Sequence, residues 1–282
     1  LNDAYMVYEM IVEGGETRLM ALYKGVNLQK LGPVRSSRHY FLDYALENDA
    51  IYVHFGWSPQ AESDIKKFGI NNINGLYDNA FTRDYSLGVA LEHTAFTSIE
   101  DLKNVAEKKG YSLTTTSKPV LDYSVDNIDL SSREDNIIAN NVSLPYSSYV
   151  ETSYTYDEQN KVYKRYARNK AQTDWNTGNS ITTKNIIITF CDNYTLQDSE
   201  NKGRQGLKNI GTFDGYYITN GKAIKIKCIK ESRSEQTRYE DLEGNEIKVN
   251  DGNTWINICP INANVQIQGV ETSENTNVTN NV

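Results

Sequence analysis

Three histidines and a small set of arginines carry most of the chemistry open to this sequence. His39, His54 and His93 lie in the first hundred residues together with Arg18, Arg35, Arg38 and Arg83. Arg35 and Arg38 flank Ser36-Ser37, His54 stands just before Gly56 and Ser58, Asp84 follows Arg83, and His93 comes shortly before Thr97. Guanidinium beside imidazole and hydroxyl suits a phosphate, pyrophosphate or carboxylate group, because Arg forms charge-assisted, often bidentate bonds with such oxygens. The candidate ligand-binding set is therefore Arg35, Arg38, His54, Ser58, Arg83, Asp84 and His93. The blander alternative pairs Arg35 and Arg38 with Glu9, Glu13 or Asp43 in a structural network and leaves His54 as a packed edge histidine.

If the set is catalytic, His54 or Glu9 is the candidate general base and the arginines stabilise developing negative charge. Glu9 and Glu13 are four apart, so on a helix they share a face, where a solvated or Arg-paired role competes with acid/base work. There is no H-E-x-x-H, G-x-S-x-G, Walker A loop or dinucleotide glycine fingerprint. Ser63 and Lys66 match S-x-x-K spacing by chance, on an ordinary amphipathic helix without a K-T-G downstream. No metal site and no cofactor are expected.

These residues must be held by the elements around them. Asn2 or Asp3 can cap a helix in which Val7, Met10 and Ile11 recur at helical spacing, stopped by Gly14-Gly15. Leu19 to Tyr23 reads as a short buried strand. Ser36 or Ser37 can cap a helix running to about Glu47, which places Arg35 and Arg38 at a helix N-terminus, where unpaired N–H groups favour anions. Ile51 to Phe55 is a strand. Ser58-Pro59 opens a helix ending near Gly69, and Thr97 with Glu100 forms a capping box for a helix stopping at Gly110. If the three junctions converge, they form one pocket.

Periodicity fades from about Thr114 to Asn141 and then switches to two, with Val150, Thr152, Tyr154 and Tyr156 alternating with polar neighbours. Asn220-Gly221 is the strongest hairpin signal, and further strands fit Asn185–Cys191, Glu246–Val249 and Trp255–Cys259. The expected class is α+β: an N-terminal α/β-type layered domain over 1–120, a linker over 121–141, a mostly antiparallel β domain over 142–270, and a polar, disordered tail over 271–282. Cys191, Cys228 and Cys259 each sit in a strand-like run and read as buried small hydrophobes, with one bridge among them as the alternative. The abundant tyrosines, Tyr149, Tyr154, Tyr156, Tyr163, Tyr166, Tyr216 and Tyr217 among them, read as lining half-buried sheet rather than as stacking platforms.

The chain has 282 residues with 29 basic and 37 acidic side chains, a net charge of −8. An acidic chain without basic blocks is a poor partner for nucleic acid. No stretch approaches the roughly 18 apolar residues that span a bilayer.

The segment LGPVRSSRHYFLDYALENDAIYVHFGWSPQA (Leu31 to Ala61) resembles the YerB-like lipoproteins of Gram-positive bacteria, a family of unknown function. Its signature is a GPVRSxR segment followed by an AIYVHxGxSPxA run. The resemblance extends to VYEMIVEGGETRLMALY, KNIIITF, GYYITNGKAI, KESRSEQTRYED and NEIKVNDGNTWINICP. It implies an N-terminal and a C-terminal family domain, with a first strand preceding Leu1. It also implies an extracytoplasmic protein on the outer face of the cell membrane, held only by a lipid anchor upstream of Leu1. Matching positions are Arg35, Arg38, His54, Gly56, Ser58, Arg83, Asp84 and His93, then Arg233, Arg238 and Trp255. The sequence departs from the family pattern at SLGVALEHT, where the family reads a basic residue followed by A-P-H-N.

Two functions follow as expectations. One is a binding or scaffolding lipoprotein that recognises an anionic cell-wall or envelope component, or an envelope protein, through an Arg/His pocket. The other is a hydrolase or transferase acting on a phosphodiester or glycosidic bond of the envelope.

Overall fold

The computed structural model describes residues 1–269; the tail expected over 271–282 lies outside them. Among the described residues the fold is mostly strand, with three α-helices. The first hundred residues supply β1 (Met6–Ile11), β2 (Thr17–Leu22), α1 (Phe41–Glu47), β3 (Tyr52–His54), α2 (Pro59–Phe68), β4 (Asn72–Asn74), β5 (Thr82–Arg83), β6 (Ala95–Phe96) and α3 (Ile99–Lys108). The expected linker holds β7 (Asp122–Ser124) and β8 (Ile137–Ile138). Then come β9 (Asn141–Pro145), β10 (Glu151–Asp157), β11 (Val162–Ala167), β12 (Lys170–Ala171), β13 (Thr182–Thr183) and β14 (Asn185–Thr195). The chain continues through β15 (Gln205–Lys208), β16 (Gly211–Thr219), β17 (Lys222–Lys230), β18 (Arg238–Asp241), β19 (Lys248–Asn250), β20 (Thr254–Pro260) and β21 (Gln266–Gln268).

The large sheet runs β18-β17-β16-β14-β20-β1-β2, with β15 on β14 and β8 on β17. β20 lies parallel to both β14 and β1, and the other pairings along this path are antiparallel. A second sheet runs β12-β11-β10-β9-β21, with β13 on β11. The helix expected over residues 3–13 is instead β1. All six of its residues are buried, because the strand is covered on both faces. A strand buried on both faces reads as a continuous apolar run without alternation, and Val7, Met10 and Ile11 then fit helical spacing by accident. Because side chains alternate, Tyr8 faces α1, where its ring lies 4.8 Å from Tyr44, while Glu9 faces the second sheet. β1 and β2 therefore share a sheet and one hydrophobic core with strands of the second half.

The second correction concerns α1. It begins at Phe41, its N-cap is Tyr40, and no side chain caps it. Residues 31–38 form an extended strap instead. Leu31 pairs with Thr97, the Val34 N–H donates to the Ala95 carbonyl, and Ser37 bridges to Trp57. Arg35 and Arg38 thus stand on a strap rather than at a helix N-terminus, and the dipole argument for them falls away.

Elsewhere local signals hold. Ser58 caps α2, Pro59 is its first residue, and Gly69 ends it in the left-handed conformation. The cap of α3 is one residue later than expected: Ser98 accepts from the Asp101 N–H, while Thr97 donates to the Ala80 carbonyl. Asn220 and Gly221 turn between β16 and β17 with φ of 49° and 73°. All three cysteines are free and buried.

Candidate functional site

The strap positions a cluster of three arginines. Arg38 bonds the Glu13 carboxylate through Nε at 2.5 Å and the Ser37 carbonyl through Nη1 at 2.8 Å. Arg18, from β2, donates to the Ser36 carbonyl at 2.5 Å, which Arg38 Nη1 also approaches at 3.5 Å. Arg18 Nη2 is 3.9 Å from Glu13. Two guanidiniums therefore share one carbonyl and one carboxylate. Burial pushes Glu13 up, but the bond and charge of Arg38 outweigh it and hold the carboxyl below its usual range. Arg18 is pushed down to about 10, by burial first and then by the like charges of Arg38 and Arg35 against the pull of Glu13. Arg35 is also lowered, by burial and by Arg38, with Glu92 opposing. Its guanidinium lies 2.8 Å from His93 Nδ1 on the exposed side.

The remaining expected residues occupy different places. His54 is 1% exposed; its Nδ1 donates to the Gly56 carbonyl at 2.8 Å and its Nε2 lies 3.1 Å from Asn72 Oδ1. Burial lowers its pKa, with the Gly56 and Asn72 bonds working against that shift. Ser58 is buried, and its hydroxyl accepts from the Ala61 N–H. Arg83 donates to the Leu91 carbonyl and the Thr94 hydroxyl and lies 4.5 Å from the Phe55 ring centre. Asp84 pairs with Lys30 at 2.6 Å, which holds its carboxyl below the usual range. Glu9 is fully buried between the sheets, bonded to Arg165 at 2.9 Å, so it does not share a face with Glu13.

The structure thus brings Arg35 next to His93, and Arg38 next to Glu13 and Arg18. It keeps His54 and Ser58 beneath the surface, directs Arg83 and Asp84 toward the other end of the strap, and places Glu9 in the core. Arg18 was recognisable as an arginine near the set but not as a member of the site. Its signal is the hairpin: Gly14 and Gly15 turn with φ near 70°, and Met10 pairs with Arg18 across β1 and β2. Among the described residues no group of three or more His, Cys, Asp or Glu could hold a metal ion, and no helix is long and apolar enough to cross a membrane.

Residues 1–112 match the N-terminal domain, and residues 142–256 the C-terminal domain, of the family described as "Protein of unknown function (DUF3048)". The chain belongs to this family. It is 28% identical over 271 residues to a Bacillus subtilis (strain 168) protein named "Putative lipoprotein YerB", covering 92% of this chain and 76% of that protein. The crystal structure of YerB from Bacillus subtilis matches with a TM-score of 0.80 and 28% identity, over 94% of this chain and 87% of the other. The resemblance read at GPVRSSR is borne out. A DUF3048 assignment gives kinship and a fold without naming a reaction.

Proposed function

We propose that this protein is an extracytoplasmic, lipid-anchored envelope protein that binds an anionic envelope component through Arg18, Arg35 and Arg38. The lipoprotein part rests on the name of the Bacillus relative. The binding part rests on one observation: Arg18 and Arg38 share a single carboxylate, Glu13, and converge on the Ser36 carbonyl. With Arg35 close by, the cluster carries more positive charge than its inner carboxylate neutralises. An anion of suitable shape relieves that repulsion and takes up guanidinium N–H donors.

The hydrolase or transferase reading draws no comparable support. Both ring nitrogens of His54 are engaged in a buried site, and Glu9 is bonded to Arg165, Thr17 and Thr152.

The test is a thermal-shift and calorimetric titration with phosphate, pyrophosphate and a glycerol-phosphate polymer. At 100 times its dissociation constant a ligand stabilises the fold by about 2.7 kcal/mol. The expected result is stabilisation by at least one probe that is lost in Arg35→Ala and in Arg18→Gln and weakens with added salt. No stabilisation by any probe, or an equal shift in the variants, overturns the proposal.

A further inference from the structure

At the opposite end of the strap from Arg38 lies a cleft of about 360 Å³ lined by Gln29, Lys30, Thr82, Arg83, Asp84, Phe96, Thr97 and Asp101. Its volume is within the range of about 300–1,000 Å³ usual for small-molecule sites. Lys30 is the pivot. Its ammonium bonds Asp84 at 2.6 Å, lies 4.5 Å from the Phe96 ring centre and 5.5 Å from that of Trp175. Trp175 comes from the loop between β12 and β13. That loop is held to the residue just before the strap by the Asn176 amide, which donates to the Lys30 carbonyl at 3.1 Å. The indole is 69% exposed and stands beside Lys30, a residue of the cleft lining.

The polar lining narrows what the cleft can take. Lys30 and Arg83 are balanced by Asp84 and Asp101, so a net charge on the ligand gains little here, in contrast to the arginine cluster. Among the described residues the Gln29 amide and the Thr82 hydroxyl have no hydrogen-bond partner, and Asp101 uses only Oδ2, which accepts from the Ser98 hydroxyl at 2.6 Å. The Leu91 and Thr94 bonds of Arg83 both use Nη1. Donors and acceptors thus lie side by side along the cleft, and the flat, exposed Trp175 ring stands next to Lys30 at its edge. A neutral polyhydroxylated ring answers both features: its hydroxyls donate and accept together, and its C–H face packs on an indole.

We propose that this cleft is a saccharide-binding subsite, with Trp175 as the stacking platform and Gln29, Thr82, Arg83 and Asp101 as hydroxyl partners. It takes a short neutral glycan and is separate from the arginine cluster.

The experiment is a titration with chitotriose, cellotriose and maltotriose, followed by calorimetry and tryptophan fluorescence. Four variants are compared with the parent: Trp175→Ala, Trp175→Phe, Asp101→Asn and Arg35→Ala. Trp175 and Asp101 are exposed, so their replacement leaves the core untouched, and melting curves verify this. The expected result is saturable binding of at least one trisaccharide with a change in emission. Affinity falls about tenfold or more in Trp175→Ala and in Asp101→Asn, and is largely kept in Trp175→Phe and in Arg35→Ala. The proposal is overturned if none of the three saccharides binds, if Trp175→Ala binds as well as the parent, or if Arg35→Ala abolishes binding.

Discussion

Glu9 and Arg165 are bonded at 2.9 Å across the interface between the two sheets, 156 residues apart in the chain. The carboxylate is fully buried and also accepts from the Thr17 and Thr152 hydroxyls. The guanidinium lies 4.7 Å from the Trp255 ring centre. Burial by itself would lower Arg165, but the neighbouring carboxylate raises its pKa above the ordinary value. The next residue back along β1, Tyr8, faces the other way and donates to Glu47, which is paired with buried Lys230 at 2.7 Å. One strand therefore contacts a buried ion pair on each face of the sheet.

Removing one member of such a pair leaves an uncompensated buried charge. Glu9→Gln is expected to destabilise the fold by about 3–5 kcal/mol, read as a lower urea midpoint with an unchanged slope. A second change, Arg165→Met, is expected to recover part of that loss. A Glu9→Gln protein as stable as the parent would show that the pair contributes little.

His54 and His39 make stability depend on pH. Burial lowers both, and the charge of Arg233 adds to the effect at His39. Their folded pKa values lie below that of an unfolded histidine, about 6.5, so the unfolded state binds more protons as pH falls below that value. Their contribution is complete above about pH 6.5 and declines as pH drops through their folded pKa values. The melting temperature is expected to fall between about pH 7 and 5, and less steeply in His54→Gln, measured at constant ionic strength.

Gly32 lies at φ +145° where the strap crosses β6. A Cβ there would stand 2.7 Å from the Ala95 carbonyl oxygen and 2.8 Å from the Phe96 ring. Gly32→Ala is expected to lift the strap and cost about 1–3 kcal/mol, blunting any response to anions because Arg35 and Arg38 ride on it. Gly69→Ala, also at positive φ but with open space around it, is expected to cost only about 1 kcal/mol.

Arg233 joins two helices to the loop after β17. It bonds Asp43 at 2.6 Å and Asp64 at 2.7 Å and donates to the His39 carbonyl. Asp43 is buried, with the Asn209 amide as its other partner. Arg233→Ala is expected to destabilise by about 3 kcal/mol, and Arg233→Lys by less, in denaturant titrations at pH 7. Asp43→Asn is expected to reduce the cost of losing Arg233.

The sequence was readable wherever a signal is local. The Ser58-Pro59 start and Gly69 stop of α2, and the Asn220-Gly221 turn, depend on the backbone conformations of a few adjacent residues. β1 was not readable because its surroundings erase the alternation that marks a half-exposed strand. The fate of the site residues was legible only in part. Arg38 pairs with Glu13, one of the partners named beforehand, but nothing in the sequence gives Glu9 a partner in β11 or brings Trp175 to Lys30. Those contacts depend on how two sheets pack, which spacing along one segment does not encode.

The place of β1 bears on the order in which the chain acquires its structure. Its hydrogen-bonding neighbours are β2, a few residues on, and β20, made of residues 254–260. β1 therefore has one edge unpaired until residues 254–260 are in place, and pairings that distant form slowly. The first 112 residues, although one family domain by sequence, would leave β1 an apolar open edge if produced alone. Such a fragment is expected to aggregate rather than fold, whereas a chain that includes β20 closes that edge itself.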